Sequence, residues 1–273
     1  MKKFDGLLFV TDLDGTLLKN DNTVSKENID AIEYFKSEGG RFTFITGRLP
    51  IASRRALNLV KPNAPCGCIN GGSVFDHEKN EILRSVNLSR DALELVEYVD
   101  KNLPDMGIEV NAHDKIYFCK KSVATEKHRM SENHPDLTAH YYDVKDPIAK
   151  ILFAHEDGKL IEKLMEVLEK HPKAKDFEFV RSATEYYEIL PKGINKGRAV
   201  LTIADLLGID PTKTIAAGDN DNDAPMLSMA GLGVAVSNAS DAAKNAANYI
   251  TVSNEENAIA KIIEDLESGK ISI

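Results

Sequence analysis

Cysteine is scarce in this chain, with three in 273 residues, too few for the disulfide framework that small secreted domains depend on. Two of them stand as Cys66-Gly67-Cys68, one residue tighter than the Cys-x-x-Cys spacing of redox and zinc sites, so Cys66, Cys68 and Cys119 read as small buried hydrophobes. Long apolar runs are missing as well. None approaches the roughly 18 residues of a membrane span. Met1-Lys2-Lys3-Phe4-Asp5 passes straight into an apolar strand and leaves no room for a signal peptide, so the expected location is cytoplasmic. Positive charge is in deficit: 34 Lys and Arg against 43 Asp and Glu give a net charge of -9, which argues against a nucleic-acid or anionic-membrane partner. No linker rich in Pro, Gly and Ser, no internal repeat and no low-complexity tract divides the chain. The remaining composition, 42% hydrophobic and 28% charged, is that of an ordinary soluble protein with room for about two domains.

The order of apolar patterns predicts an α/β fold, a Rossmann-like parallel-sheet core with an inserted α+β domain. Strands are expected at Leu7 to Thr11, Phe42 to Ile45 and Cys66 to Ile69, with a helix through Ile29, Ile32, Tyr34 and Phe35. A further helix is expected to open at Pro50, whose missing amide hydrogen would be unpaired there anyway. Residues 73 to 86 read as a hairpin turning at 77 to 80. From Leu88 the texture changes to helices mixed with alternating strands, and after Lys196 the strand–helix alternation resumes. The domain expectation is therefore residues 1–87 and 191–273 as a discontinuous core, with 88–190 as the inserted domain.

Asp12-Leu13-Asp14-Gly15-Thr16 follows the run Leu7-Leu8-Phe9-Val10 and places two carboxylates where a buried strand ends, which is where ligands bind in open α/β sheets. Side chains two apart on an extended segment point the same way, so Asp12 and Asp14 can face one small volume, one attacking and the other shuttling a proton. A strand followed by an ordinary acidic turn would look the same locally. Three further segments extend the pattern. Thr46-Gly47-Arg48 sits at another strand end, where a hydroxyl and backbone amides at a helix N-terminus would bind an anion; Thr46 could equally be an N-cap, and Arg48 an ion-pair residue. Lys196 lies at a helix start, against the preference of the helix dipole, which suggests a phosphate partner. Gly218-Asp219-Asn220-Asp221-Asn222-Asp223 lacks calcium-loop spacing, yet it brings Asp219 and Asp223 towards the same rim. Two such carboxylates ~4 Å apart repel by about 4 kcal/mol at an effective dielectric of 20, so the group must protonate or hold a cation, for which Mg2+ is the best match.

In this order the four segments resemble the motifs of the haloacid dehalogenase superfamily of phosphatases. The long insertion, Asn70-Gly71, and the tail Val236-Ser237-Asn238-Ala239 with Lys244 and Ala246-Ala247 resemble its Cof-type members, which have an α+β cap. The resemblance covers nearly the whole chain and is weakest in the cap; Gly72 stands where relatives often have Ala. It implies Asp12 as nucleophile forming an aspartyl-phosphate and Asp14 as general acid/base. It implies Mg2+ held by Asp12, the backbone carbonyl of Asp14, and Asp219, with Asp223 in support. Thr46, Gly47, Lys196 and Asn222 would hold the phosphoryl group, with Arg48 and Asn70 as further candidates.

The expected activity is therefore that of a Mg2+-dependent phosphatase acting on a small phosphorylated metabolite, sugar phosphates first. A phosphomutase of similar fold is the alternative, which motifs alone leave open. A phosphorylatable signalling receiver also gathers acids, a Thr and a Lys around Mg2+, but it is far shorter and needs an Asp at a later strand end, where Thr46 stands here. Tyr117, Glu185 and Tyr187 are cap residues that either line a pocket or are ordinary strand residues. The sequence says nothing of oligomeric state.

Overall fold

The computed structural model describes residues 2–131 and 133–273. In chain order the strands are β1 (Leu8–Thr11), β2 (Arg41–Phe44), β3 (Cys66–Cys68), β4 (Ser73–Asp76), β5 (Glu81–Ser85), β6 (Gly107–Asn111), β7 (Ile116–Lys120), β8 (Lys150–Ala154), β9 (Phe177–Ala183), β10 (Tyr186–Pro191), β11 (Thr214–Gly218), β12 (Leu232–Ala235) and β13 (Tyr249–Ile250). The helices are α1 (Lys26–Ser37), α2 (Arg54–Val60), α3 (Ala92–Asn102), α4 (Val123–Ser131), α5 (Gly158–Glu169), α6 (Lys196–Leu207), α7 (Ala224–Met229), α8 (Asp241–Ala246) and α9 (Ala258–Glu267). None of the described helices is long and apolar enough to cross a membrane.

The chain forms two compact units. The first comprises the described residues up to Arg48, then Ser53–Ser85 and Asn195–Ile273; the second comprises Leu49–Ala52 and Val86–Ile194. In the first, a parallel sheet runs β13-β12-β11-β1-β2. β1 is buried along its whole length, as the interior strand of a parallel sheet must be, which is why it reads as an unbroken apolar run. The chain leaves β1 for β2 on one side and returns at β11 on the other, so the carboxyl end of β1 is the topological switch point of the sheet. Phe9 packs edge-on against Phe35 of α1 and Phe42 of β2, with ring centroids 5.9 and 5.5 Å away.

The structure corrects three local expectations between Ile45 and Ile69. β3 joins the parallel sheet at one point, the parallel bridge Ile45–Gly67 at the end of β2, and its ladder is antiparallel with β4, as that of β4 is with β5. No helix starts at Thr46 or Pro50; α2 begins at Arg54. Ile69 is not a strand residue, since its φ of +57° turns the chain out of β3.

The second unit holds an antiparallel sheet ordered β7-β6-β8-β10-β9. One face packs against α3 and α5 through a cluster that includes Val96, Val99, Ile108, Ile151, Phe153, Ile161 and Leu164. Tyr187 belongs to this cluster and stacks on Phe179, and Tyr117 packs against it with its hydroxyl on Asp146. Both are accounted for as strand residues. Glu185 accepts a backbone bond from His155 through its carbonyl. Cys66 and Cys68 are buried and Cys119 is half-buried, all three as free thiols.

Candidate active site

The switch point gathers side chains from three distant stretches of sequence. Asp12 directly follows β1, and its backbone N–H donates to Ala217 O of β11 at 2.8 Å, which aligns the two strand ends. Asp219 and Asp223 follow β11, and one carboxylate oxygen each from Asp12, Asp219 and Asp223 lie within 4.8 Å of one another. The α6 lysine enters between them: Lys196 Nζ donates to Asp12 Oδ1 at 2.6 Å and to Asp223 Oδ1 at 2.5 Å. Lys196 is 2% exposed and Asp223 0%. Asn195 caps α6 by accepting from Arg198 N–H at 3.0 Å, and this cap sets where the helix begins and so where Lys196 leaves it.

Asp223 is fixed from its other oxygen, where Oδ2 accepts the N–H groups of Asp219 and Asn220, both at 2.9 Å. Asp219 accepts the Thr16 hydroxyl at 2.7 Å. Gly15 has a φ of +80°, and a Cβ there would stand 2.5 Å from Asp219 Oδ2. Both facts require glycine at that position, one for the turn and one for the close approach of the backbone to the carboxylate.

Burial pushes the Asp12 carboxyl well above the ordinary carboxylate range, and the charges of Asp223, Asp219 and Asp14 add to this while Lys196 opposes it. The Asp219 carboxyl is pushed up to about 6, by burial first and by Asp223 second. Burial works to lower the Lys196 ammonium, but Asp12 and Asp223 outweigh it and hold the lysine above its usual value. Three carboxylates against one ammonium leave two negative charges uncompensated when all are ionised. A hard divalent cation matches that deficit and the all-oxygen donor set, so the residues fit Mg2+.

Asp14 differs from the expectation of four converging carboxylates. Its side chain is exposed and turns to Arg48, whose Nη2 and Nε donate to Asp14 Oδ1 and Oδ2 at 2.6 and 2.8 Å. The carboxylate cluster is therefore three residues, and Arg48 is an ion-pair residue. Thr46 is buried; its N–H donates to Gly67 O at 3.0 Å and its hydroxyl accepts from Arg48 N–H at 3.2 Å. With α2 starting only at Arg54, the amides around Gly47 belong to a loop and not to a helix N-terminus. Asn222 Nδ2 donates to Asn70 Oδ1 at 3.0 Å, which brings the candidates Asn222 and Asn70 together.

Three contributions were missed in the sequence: the Thr16 bond to Asp219, the Asn238 Nδ2 bond to Gly15 O at 2.9 Å, and the bond from Ser240 N–H to Asp219 O at 2.7 Å. Thr16 stands four residues after Asp12, where the turn at Gly15 would bring its hydroxyl back to the rim. Asn238 and Ser240 lie beyond β12, and no local pattern links them to Gly15 or Asp219.

A family model described as haloacid dehalogenase-like hydrolase matches residues 9–263. YxeH of Bacillus subtilis (strain 168) is 31% identical over 280 residues, which span 96% of this chain and 99% of its own. The 5-amino-6-(5-phospho-D-ribitylamino)uracil phosphatase YcsE of the same organism is 29% identical, spanning 94% of each chain. Among solved structures, a haloacid dehalogenase-like hydrolase from Bacteroides thetaiotaomicron superposes with a TM-score of 0.81 at 26% identity, over 94% of this chain and 98% of that one. The subclass IIB sugar phosphatase BT4131 shares the fold, with a TM-score of 0.80 at 20% identity over 97% of this chain and all of that one.

Proposed function

The chain belongs to the haloacid dehalogenase-like hydrolase family, and from that premise we propose that it is a Mg2+-dependent phosphatase that hydrolyses small phosphorylated metabolites, sugar phosphates foremost, through an aspartyl-phosphate. The observation that supports this most directly is the three-carboxylate cluster at the sheet's switch point with a single buried lysine in it. Asp12, the backbone carbonyl of Asp14, and Asp219 would hold Mg2+, with Asp223 in support. When bound, Mg2+ offsets the charge of the phosphoryl oxygens next to the nucleophile.

Lys196 occupies Oδ1 of Asp12, which leaves Oδ2 as the attacking oxygen. Asp12 Oδ2 forms a bond to phosphorus as the ester oxygen departs, and that oxygen takes a proton from Asp14. Asp14, now a carboxylate, removes a proton from water as the water oxygen bonds to the phosphorus of the aspartyl-phosphate, and inorganic phosphate leaves Asp12 free. In the first step Asp14 carries a proton and turns from Arg48 to the leaving oxygen; in the second it acts as the carboxylate that step leaves behind. Thr46, Gly47, Lys196 and Asn222 hold the phosphoryl oxygens, and Arg48 enters as the partner of Asp14. Phosphoryl transfer needs this kind of positioning and charge compensation more than elaborate covalent chemistry.

Residues 1–87 and 191–273 form the catalytic domain and 88–190 the domain that selects the substrate. Two matched proteins are named for polyhydroxylated phosphate esters, a ribityl phosphate and a sugar phosphate, which supports that substrate class here. The test is release of inorganic phosphate from a panel of monoesters by the purified protein, with Mg2+ and with chelator. Steady release with Mg2+ and without any bisphosphate activator is expected. No release from any ester overturns the proposal, and activity only in the presence of a bisphosphate makes the protein a phosphomutase.

A further inference from the structure

Three consecutive residues at the end of β3 lie in left-handed backbone: Ile69, Asn70 and Gly71 have φ of +57°, +53° and +95°. A β-branched residue there is an outlier, and strain of this kind persists only where surrounding contacts over-determine it. Those contacts reach three of the four motif segments. Ile69 N–H donates to Arg48 O at 3.0 Å and Asn70 N–H to Thr46 O at 2.9 Å. The Asn70 carboxamide lies against Gly47, where a Cβ would stand 3.2 Å from Oδ1 and 3.3 Å from Nδ2. A Cβ on Gly71 would stand 2.5 Å from the carbonyl oxygen of Asn195, the cap of the helix that begins with Lys196. The loop after β11 is reached at Asn222, whose Nδ2 donates to Asn70 Oδ1.

We infer that Asn70 is a positioning residue, which sets the orientation of the Asn222 carboxamide and, with its turn, the shape of the Thr46–Arg48 loop, so that both meet the phosphoryl group preorganised. Asn222 Oδ1 is buried without a hydrogen-bond partner, so that carboxamide is oriented from its nitrogen end, by Asn70 Oδ1. One Nδ2 hydrogen is used there and the second is left to donate. The loop has no helix behind it to hold its amides in place, and the two backbone bonds from Ile69 and Asn70 take over that role. Asn70 therefore acts through Asn222 and the loop, in place of the direct substrate contact expected for it.

The inference rests on the phosphatase reading, since it names what orients a phosphoryl ligand. Asn70→Gly is the test variant, because glycine adopts the same φ freely and keeps the turn while losing the carboxamide. The expected result is a 10- to 100-fold loss of kcat, equal for p-nitrophenyl phosphate and a sugar phosphate because the phosphoryl group is common to both, with the Mg2+ activation constant unchanged. Asn70→Gly/Asn222→Ala is expected to be no slower than Asn222→Ala alone. An unchanged kcat, additive losses in the double variant, or a loss confined to KM for one ester would each overturn the inference. A readout without turnover separates the two proposals: inorganic phosphate should raise the melting temperature of the parent by more than that of Asn70→Gly. If the parent hydrolyses nothing, the phosphatase reading fails, while equal shifts in that titration would overturn the role of Asn70 by itself.

Discussion

Asp219→Asn should make the chelated protein more stable while removing its response to Mg2+. The Asp219 carboxyl, ordinarily at 3.8, is pushed up to about 6 by burial and by Asp223. Holding it ionised at pH 8 therefore costs about 3 kcal/mol, at 1.36 kcal/mol per pH unit. Asparagine removes the charge and keeps an oxygen for the Thr16 hydroxyl, which now donates at 2.7 Å. At about 2–4 °C per kcal/mol for a chain of this size class, the variant should melt roughly 6–12 °C above the parent in chelator. Mg2+ at a hundred times its dissociation constant adds about 2.7 kcal/mol to the parent and closes the gap, while the variant stays where it was.

The dependence on pH follows from the sign of the shift. A carboxyl whose folded pKa lies above its unfolded value burdens the fold fully above about 6, and the burden lifts as pH falls through that value. The gap in chelator should thus shrink to about half at pH 5 and to about a fifth at pH 4. Thermal melts by circular dichroism with EDTA or Mg2+ at pH 8, 5 and 4 give all these numbers. A variant that melts at or below the parent in chelator would refute the electrostatic argument, and an equal Mg2+ response in both proteins would place the metal elsewhere.

Asp12→Asn should abolish turnover of every ester and yield no acid-stable, hydroxylamine-labile phosphoenzyme when labelled substrate is added, since the attacking oxygen is gone. Asp14→Asn should give a burst of p-nitrophenolate and then stall as phosphoenzyme, because phenolate leaves unaided but the second step lacks its base; steady turnover at the parent rate would remove Asp14 from the mechanism. Lys196→Ala should lower kcat/KM by at least 100-fold, as expected for loss of a charge that faces the phosphoryl oxygens. It should also lower stability by about 3 kcal/mol in chelator, because two buried carboxylates lose their counter-charge; near-parent activity would move the phosphate site. Replacing residues 88–190 with the matching segment of a relative should change the order of preference across an ester panel and leave the Mg2+ requirement intact, which steady-state kinetics on both proteins will check.

Much of the site was legible because its chemistry is local. A fully buried parallel strand must be apolar from end to end, so Leu8 to Thr11 announces itself, and the acids directly after it and after β11 stand at sheet ends for the same reason. Lys196 was legible because a cation at a helix start opposes the dipole and so needs another reason to be there. The Thr46 segment was misjudged because a Pro after a polar turn suits a loop as well as a helix start, and nothing local tells Pro50 from a true first-turn proline. β3 was assigned to the parallel sheet because three short apolar residues carry no information about which strand they will pair with.

The sequence by itself determined the alternation of strands and helices, the apolar strand that carries Asp12, and the inventory of carboxylates, lysine and hydroxyl from which the site is made, since each depends on neighbours a few residues away. Only the tertiary structure decided how those groups share their bonds. Lys196 chooses Asp12 and Asp223, Asp14 leaves the cluster for Arg48, Thr16 reaches Asp219, and Asn70 reaches Asn222 across 152 residues. These choices are settled by distances of a few ångströms between segments far apart in the chain. They depend on strand order and on which backbone N–H and C=O groups are already paired, and no local pattern of residues encodes either.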